Sequence, residues 1–253
     1  AEDPYRGFLP SIGRLTRYRP PAEIAAGPLL DNDKWHGDAP TGTMAVRNDT
    51  GVYEGGEISM YYDPMIAKLC TWAPTRGEAI ERMRVALDSF EVEGIGHNLP
   101  FLSAVMDHPI FVAGTMTTAF IENEYPDGFE GVTLAEGELK RIAAATAAMH
   151  RVAEIRRARV SGRMDNHERK VGTDWNVALQ DHSFDVTIAA DPSGATITFE
   201  GGETMRVSSD WTPGDQLATM TVADAPLVLK VGKISGGFRI RTRGADMKVH
   251  VRT

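Results

Sequence analysis

Eight short segments with the alternating polar and apolar pattern of β-strands follow one another between residues 175 and 252. Their connections are turn sequences such as Asp191-Pro192-Ser193-Gly194 and Thr212-Pro213-Gly214, which favour antiparallel pairing of neighbours. The predicted strands are Trp175–Gln180, Ser183–Ala190, Ala195–Glu200, Thr204–Ser208, Gln216–Val222, Leu227–Val231, Phe238–Thr242 and Met247–Arg252. Eight closely spaced strands with one buried face are typical of an antiparallel barrel.

A long helix is predicted at residues 134–157, directly before these strands, with Thr133 as its N-cap and Glu136 at its third position. Its middle, residues 142–149, carries only apolar or small side chains on every side. A helix without a polar face is usually enclosed, and small side chains let its surroundings approach closely. We therefore predict that this helix lies inside the barrel.

The first half of the chain has a mixed α and β pattern. Arg14–Arg19, Thr43–Arg47 and Met65–Trp72 are predicted strands, the last of them buried. A helix begins after Thr75, which forms a capping box with Glu78. Two shorter helices are predicted, one from Asn98 to Pro109 and one at Thr117–Glu124, and the turn Tyr125-Pro126-Asp127-Gly128 follows. The fold class is therefore α+β with a barrel in the second half.

Charge differs between the two halves. Residues 1–133 carry a net charge of −10 and residues 134–253 a net charge of +2. This asymmetry suggests two units and argues against nucleic acid as a general partner. No apolar run approaches the roughly 20 residues that a membrane span needs. The single cysteine, Cys70, excludes an internal disulfide framework and suits a reducing compartment; it lies in an apolar run and is predicted to be a buried, inert thiol.

The sequence contains no complete set of catalytic or metal-binding residues. Its seven histidines lack metal-ligand spacing, so no metal site is predicted. The basic segment Arg151–Lys170 favours a solvated helix end followed by a protein-docking loop over an anion or nucleic-acid site. A barrel that binds anions through Arg239, Arg241 and Arg243 is the weaker alternative, because strand alternation places these arginines on an outer face. The residues alone leave the function open.

Residues of the first half resemble the C-terminal part of biotin carboxylase domains. The matching segments are Ala1-Glu2-Asp3-Pro4, Phe8 to Leu15, Val46-Arg47-Asn48-Asp49, Tyr62 to Leu69, Arg82-Met83, Ala86-Leu87, Gly96-His97-Asn98 and Gly114-Thr115. Members of that family are ATP-grasp ligases that activate bicarbonate as carboxyphosphate and carboxylate N1′ of biotin. The resemblance implies that Arg47 is catalytic and binds the biotin ureido oxygen, where a guanidinium can stabilise developing negative charge. Asp63 and Lys68 of the shared motif are interpreted as contacts that define the fold near the site.

The second half resembles the α subunits of propionyl-CoA carboxylases in its Tyr125 to Phe129 junction, its Arg163-Met164 loop, Trp175 and Ser209-Asp210-Trp211. In those subunits the corresponding domain is a helix inside an eight-stranded barrel that docks the carboxyltransferase β subunit. The polar loop Ser161–Asp174 is the predicted docking element. Its candidate residues are Arg163, Met164, His167, Arg169 and Lys170. A plain flexible loop is the alternative interpretation, and 3-methylcrotonyl-CoA or geranyl-CoA carboxylases are alternative families.

The resemblance also implies domains, cofactors and partners. The predicted divisions are a biotin carboxylase part at 1–124, a linker at 125–133 and the docking barrel at 134–253. Because the chain begins with Ala1, we expect it to be part of a longer ligase that is inactive without the rest, with the ATP-binding lobes before Ala1 and the biotin-acceptor motif after Thr253. The implied cofactors are biotin, ATP and Mg²⁺ or Mn²⁺. The implied partners are the β subunit in a large hetero-oligomer, the biotin carrier domain, bicarbonate and acyl-CoA.

A non-catalytic interaction module is the second functional alternative. The implied location is cytoplasmic for a bacterial protein and the mitochondrial matrix for a eukaryotic one.

Overall fold

The computed structural model describes residues 1–24, 45–61, 63–159 and 170–252. The chain divides into two compact units, Ala1–Val132 and Thr133–Thr253. The domain bounds inferred from sequence, with a linker at 125–133, remain a prediction. In the first unit Phe129 is buried in a cluster with Phe101, Val105 and Phe120.

The described residues of the first unit form short strands and four helices. Its strands are β1 (Glu2–Asp3), β2 (Leu9–Pro10), β3 (Gly13–Arg14), β4 (Arg17–Arg19), β5 (Ala45–Thr50), β6 (Glu57–Ile58), β7 (Ala67–Trp72) and β8 (Glu91–Glu93). They form the antiparallel pairs β1–β2, β3–β6, β4–β8 and β5–β7. Its helices are α1 (Arg76–Ser89), α2 (Leu99–Asp107), α3 (Pro109–Ala113) and α4 (Phe120–Glu124), and a 3₁₀ turn covers Pro4–Arg6.

The capping box predicted for α1 is confirmed. Thr75 Oγ1 accepts the backbone N–H of Glu78, and the Glu78 carboxylate accepts the backbone N–H of Thr75 at 3.1 Å. Two orphan donors of the first turn are thereby satisfied. The buried face of α1 includes Ile80 and Leu87, and the helix ends before Phe90, which packs edge-on against Tyr18 with ring centroids 5.5 Å apart.

The helices that follow α1 differ from the sequence prediction in two details. Asn98 precedes α2 but makes no side-chain capping bond, because its backbone is not in the extended conformation that this bond needs. The helix that follows Asn98 ends before Pro109 as predicted, but Pro109 also begins the short helix α3, which was not predicted. Proline is well tolerated at a first helical position, where its missing N–H is not needed.

The second unit is the predicted helix in a closed eight-stranded antiparallel barrel. Its elements are α5 (Glu136–Ala158), β9 (Asp174–Leu179), β10 (His182–Asp191), β11 (Gly194–Phe199), β12 (Thr204–Ser209), β13 (Leu217–Val222), β14 (Ala225–Ile234), β15 (Gly237–Thr242) and β16 (Ala245–Arg252). Successive strands are neighbours, and β9 pairs with both β10 and β16, which closes the barrel. Closure leaves no unpaired sheet edge.

The middle of α5 is completely enclosed. Ile142, Ala143, Ala144, Ala145, Thr146 and Ala147 all have 0% exposure. The Thr146 hydroxyl is satisfied within the helix, since it donates to the carbonyl of Ile142 at 2.8 Å. The predicted N-cap was wrong: α5 begins at Glu136 after Ala135, and no side chain caps it. Thr133 lies two residues before Ala135, so it does not occupy the N-cap position.

Both ends of α5 are hydrogen-bonded to the barrel. Arg141 near the start donates to the carbonyls of Ala225 and Pro226 at 3.1 and 3.0 Å. Arg156 near the end donates to the carbonyl of Pro213 at 3.0 Å. These bonds fix the position of the helix along the barrel axis. Among the residues described in both units, no helix combines the length and the apolar character that crossing a membrane requires.

Candidate functional site

Arg47 lies in the middle of β5, on its outward-facing side. In the β5–β7 pair Arg47 is opposite Cys70, and Asp49 is opposite Lys68. Residues two apart on one strand, and residues directly opposite on the partner strand, point to the same face. These four side chains therefore share one face, which is exposed at each of the four positions.

The Arg47 guanidinium is held at one edge by Asp49. Arg47 Nε is 3.0 Å from Asp49 Oδ1, and the two side chains are 57% and 51% exposed. Arg47 Nη2 lies 4.0 Å from Cys70 Sγ, which is a weak contact. The hydrogen bond and the charge of Asp49 raise the pKa of the Arg47 guanidinium above its usual value. Arg47 is therefore a fixed cation whose terminal nitrogens are exposed.

The opposite face of β5 is fastened by a chain of hydrogen bonds. Tyr18 Oη donates to Thr50 Oγ1 at 2.8 Å and accepts from Asn48 Nδ2 at 3.2 Å. Thr50 Oγ1 in turn donates to the carbonyl of Ile66 at 2.8 Å. The backbone N–H of Asn48 donates to Glu23 Oε1 at 2.9 Å. These bonds fasten the strand that carries Arg47 to β4 and to the segment before β7.

The prediction that Cys70 is a buried thiol was wrong. Cys70 is exposed, and the strand around it alternates between half-buried and exposed positions. The apolar run predicted a buried strand, but β7 pairs with β5 in a sheet that has one outward face, and Cys70 lies on that face beside Arg47.

The other motif residues have separate local surroundings. Asp63 Oδ1 accepts the backbone N–H of Met65 at 2.8 Å, a local turn that shapes the approach to β7. Lys68 lies on the outward face opposite Asp49. Asp63 thus has a contact of the fold-defining kind predicted for it, whereas Lys68 belongs to the face that carries Arg47.

The predicted docking residues Arg163, Met164, His167 and Arg169 lie outside the described residues. Lys170 is described and is exposed. On the far side of the loop, Trp175 Nε1 donates to the carbonyl of Gly172 at 3.1 Å, and the Trp175 ring packs edge-on against His150 of α5. These contacts attach the start of β9 to the enclosed helix.

The arginines proposed for an anion-binding barrel have other partners. Arg239 makes a two-pronged ion pair with Asp246, at 2.8 and 2.5 Å, on the outer barrel surface. A guanidinium paired in this way has its charge compensated locally. Among residues 1–24, 45–61, 63–159 and 170–252, no three His, Cys, Asp or Glu side chains lie together as a set that could hold a metal ion.

Two domain families match the two halves of the chain. The biotin carboxylase C-terminal domain matches residues 1–123, and the propionyl-coenzyme A carboxylase BT domain matches residues 142–253. The propionyl-CoA carboxylase alpha chain of Ruegeria pomeroyi is 80% identical over all 253 residues. The chain combines these two domain matches, and over its whole length it is similar to propionyl-CoA carboxylase alpha chains. The mitochondrial propionyl-CoA carboxylase alpha chain of Mus musculus is 33% identical over 262 aligned residues, and this match also covers 100% of the chain.

The matched relatives are longer than this chain. The chain spans 37% of the Ruegeria pomeroyi alpha chain and 33% of the Mus musculus one. Among solved structures, the biotin carboxylase domain of Hydrogenobacter thermophilus 2-oxoglutarate carboxylase is similar, with 35% identity and a TM-score of 0.40. That match covers 50% of this chain and 23% of the other.

Sequence reasoning proposed Arg47 and did not predict its surroundings. The matching motif includes Asp49, but no role was predicted for it, and Cys70 was predicted to be buried. The signal for Asp49 was strand alternation, since residues two apart on one strand share a face, but the predicted strand ended at Arg47 whereas β5 continues to Thr50. The signal for Cys70 was the β5–β7 register, which places it opposite Arg47. A single sequence does not give that register, since a shift by one residue reverses every side chain.

Proposed function

We propose that the chain is part of the α subunit of a propionyl-CoA carboxylase. The first unit contributes Arg47 to ATP- and bicarbonate-dependent carboxylation of biotin. The second unit docks the β subunit that transfers the carboxyl group to propionyl-CoA. The 80% identity to a propionyl-CoA carboxylase alpha chain over the full length of this chain carries this proposal.

The donor set on the outward face of β5 fits a polar, carbonyl-bearing ligand such as the ureido group of biotin. Arg47 is a permanent cation, and Asp49 engages its Nε. Within the described part of the chain, the terminal nitrogens make only the 4.0 Å contact with Cys70 Sγ. They are therefore able to donate to an oxygen that accumulates negative charge.

Biotin supplies a ureido nitrogen that carries the carboxyl group between active sites. In this proposal Arg47 donates a hydrogen bond to the ureido oxygen, where negative charge develops when the nitrogen loses its proton. A fixed donor aimed at developing charge stabilises the transition state more than the ground state. Arg47 keeps its own proton throughout, since a guanidinium next to Asp49 does not titrate near neutral pH.

ATP and Mg²⁺ or Mn²⁺ are proposed to bind mainly to residues outside this chain, together with bicarbonate. The biotin is carried by a separate carrier domain of the same subunit. The mouse relative is a mitochondrial protein by name. For this chain we propose the same matrix location in a eukaryote and a cytoplasmic one in a bacterium.

The second unit is proposed as the docking module of a large hetero-oligomer. A closed barrel with an enclosed helix is rigid, because all its strands are paired on both sides and both helix ends are hydrogen-bonded to the barrel. Such a scaffold can present a loop in a fixed position. The loop 161–174, which contains Arg163, Met164, His167, Arg169 and Lys170, is proposed to contact the β subunit.

The test of the first unit uses the full-length α subunit assembled with its β partner. Arg47→Ala is expected to reduce carboxylation of free biotin by at least about a hundredfold, the usual loss for one transition-state donor. Arg47→Lys keeps the charge without the planar fork and is expected to recover only part of the rate. Arg19→Ala is the matched control, since Arg19 is a similarly exposed strand arginine, 59% exposed and 3.8 Å from Glu54.

Normal activity of Arg47→Ala would exclude a catalytic role for this residue. An equal loss in Arg19→Ala would show that any change on this unit disturbs the site. In either case the role given to Arg47 fails.

The test of the second unit replaces residues 161–169 by a Gly/Ser sequence of equal length. Loss of the β subunit on co-purification is expected, with the thermal unfolding of the α subunit unchanged. Lys170→Ala is expected to weaken co-purification, whereas Lys248→Ala, at an exposed barrel lysine, serves as the control. Unchanged recovery of the β subunit with the replaced loop contradicts the docking role.

A further inference from the structure

Asp49 forms the one strong contact that a described residue makes with the Arg47 side chain. The carboxylate lies two residues along the same strand and therefore on the same face. It engages Nε, the inner nitrogen of the guanidinium, at 3.0 Å. The neighbouring contact, from Nη2 to Cys70 Sγ, is much weaker at 4.0 Å.

The choice of Nε has a geometric consequence. A guanidinium is planar and presents its donors in a rigid fork. A carboxylate oxygen at Nε restricts the plane of the group and leaves the outer edge, formed by the two terminal nitrogens, to other acceptors. An arginine without this contact would sample several rotamers, because its long side chain loses considerable entropy when it is immobilised.

We propose that Asp49 is a positioning residue that holds the Arg47 guanidinium ready for its ligand. This inference rests on the proposed function, in which Arg47 is the residue that touches the ligand. Asp49 acts through Arg47 and makes no contact with the reacting atoms. Pre-positioning one donor removes a reorganisation step, and small misplacements of such groups can cost large factors in rate.

The cross-strand neighbour supports this role. Lys68 lies directly opposite Asp49, so the carboxylate stands between two cationic positions on one face. Asp49 and Arg47 are both about half exposed. Exposed ion pairs of this kind add little to the free energy of unfolding, so stabilisation of the fold does not explain the pair.

The test compares Asp49→Asn, Asp49→Glu and the control Glu57→Gln in the full-length α subunit with its β partner. Glu57 is an exposed strand carboxylate of the same unit, paired with Arg14 in the strand register. In Asp49→Asn, kcat for carboxylation of free biotin is expected to fall about tenfold, as for a donor that is present but poorly held. Asp49→Glu is expected to recover part of this loss because it keeps the carboxylate.

Three readouts separate positioning from a structural effect. Bicarbonate-dependent ATP hydrolysis without biotin is expected to stay within about twofold of wild type, because this step does not use the Arg47 contact. The dissociation constant of free biotin, measured by calorimetry on the unbiotinylated subunit with MgADP and bicarbonate, is expected to rise in Asp49→Asn. The melting temperature is expected to stay unchanged.

The double variant Arg47→Ala/Asp49→Asn completes the cycle. If Asp49 acts only through Arg47, the double variant has the same activity as Arg47→Ala alone. A further loss in the double variant overturns the proposal, and so does normal biotin turnover in Asp49→Asn beside an inactive Arg47→Ala. Normal turnover in Arg47→Ala itself overturns the proposed function of the site instead.

Discussion

The two units of the chain use strands in opposite ways. In the second unit every strand pairs with two neighbours and the barrel closes around α5. In the described part of the first unit each strand pairs with one other strand, and Ile24 adds an isolated antiparallel bridge to Val46 of β5. Because the barrel is closed, it is stabilised by the side chains that fill its interior. In the first unit, one face of the β5–β7 pair is exposed, and Arg47 lies on that face. The difference separates strands that enclose a core from strands that leave one face exposed.

The largest effect is expected inside the barrel, at Ala144. Ala144 has 0% exposure, and Ala144→Leu should lower the free energy of unfolding by about 1–3 kcal/mol through overpacking. Ala148 is the matched control, since it lies on the same helix, is half-buried and lines a cavity of about 220 Å³. Ala148→Leu should therefore cost much less. Urea titration with hydrogen-exchange mass spectrometry on peptides from β9–β16 measures both.

Equal costs for the two leucine variants would contradict the close packing assigned to the middle of α5. A tightly packed interior would then not distinguish the barrel from the first unit.

A smaller effect is expected in the first unit, at Tyr18. Tyr18→Phe removes the hydroxyl that joins Asn48 to Thr50 behind β5. The loss of a hydrogen bond from a part-buried pair is expected to cost about 1 kcal/mol. Thermal unfolding of the chain measures it, and Tyr53→Phe, at a residue that is 72% exposed, is the control. A Tyr18→Phe variant as stable as Tyr53→Phe would show that the hydroxyl network does not hold the strand.

The smallest effect concerns the surface of the barrel and depends on pH. Arg206 binds both carboxylate oxygens of Asp191, at 2.6 and 2.7 Å. The hydrogen bond from Arg206, then those from Ser193, lower the pKa of Asp191 well below its usual value. A carboxylate with a depressed pKa in the folded state stabilises the fold above its unfolded pKa, about 3.9, and loses that contribution as the pH falls further.

The difference in melting temperature between wild type and Asp191→Asn should accordingly be constant from pH 7 to about pH 4 and shrink in more acidic buffer. It should also shrink in high salt, because the pair is exposed. A difference that grows with acid would contradict the assigned pair.

The barrel and its helix could be predicted from the sequence because their patterns are local. The alternation of polar and apolar residues from Thr196 to Phe199 indicates a strand with one buried face. The absence of a polar face around Ala144 indicates an enclosed helix. The start of α5 was less accurate: Thr133 has the right chemistry for a cap, but the helix begins three residues later at Glu136. Helix ends depend on local backbone conformation, which residue type alone does not determine.

For the candidate site, the sequence proposed a single catalytic residue, which stays a prediction. Arg47 was assigned from its motif. Asp49 lies beside it only because β5 continues beyond Arg47 to Thr50, and Cys70 lies beside it because β5 pairs with β7, which joins residues 23 positions apart. Cys70 shows the limit most clearly, because an apolar neighbourhood in sequence predicted burial, and the two-stranded sheet exposes it. Long-range register is the information that the sequence pattern does not contain.

The division of work between the two units is tested most directly by two readouts on one preparation. The full-length Arg47→Ala subunit is purified with its β partner, and both the recovered β subunit and the incorporation of labelled bicarbonate into propionyl-CoA are measured. We expect full recovery of the β subunit, with the incorporation of labelled bicarbonate into propionyl-CoA reduced at least about a hundredfold. Near-normal incorporation, or loss of the β subunit together with activity, would contradict it.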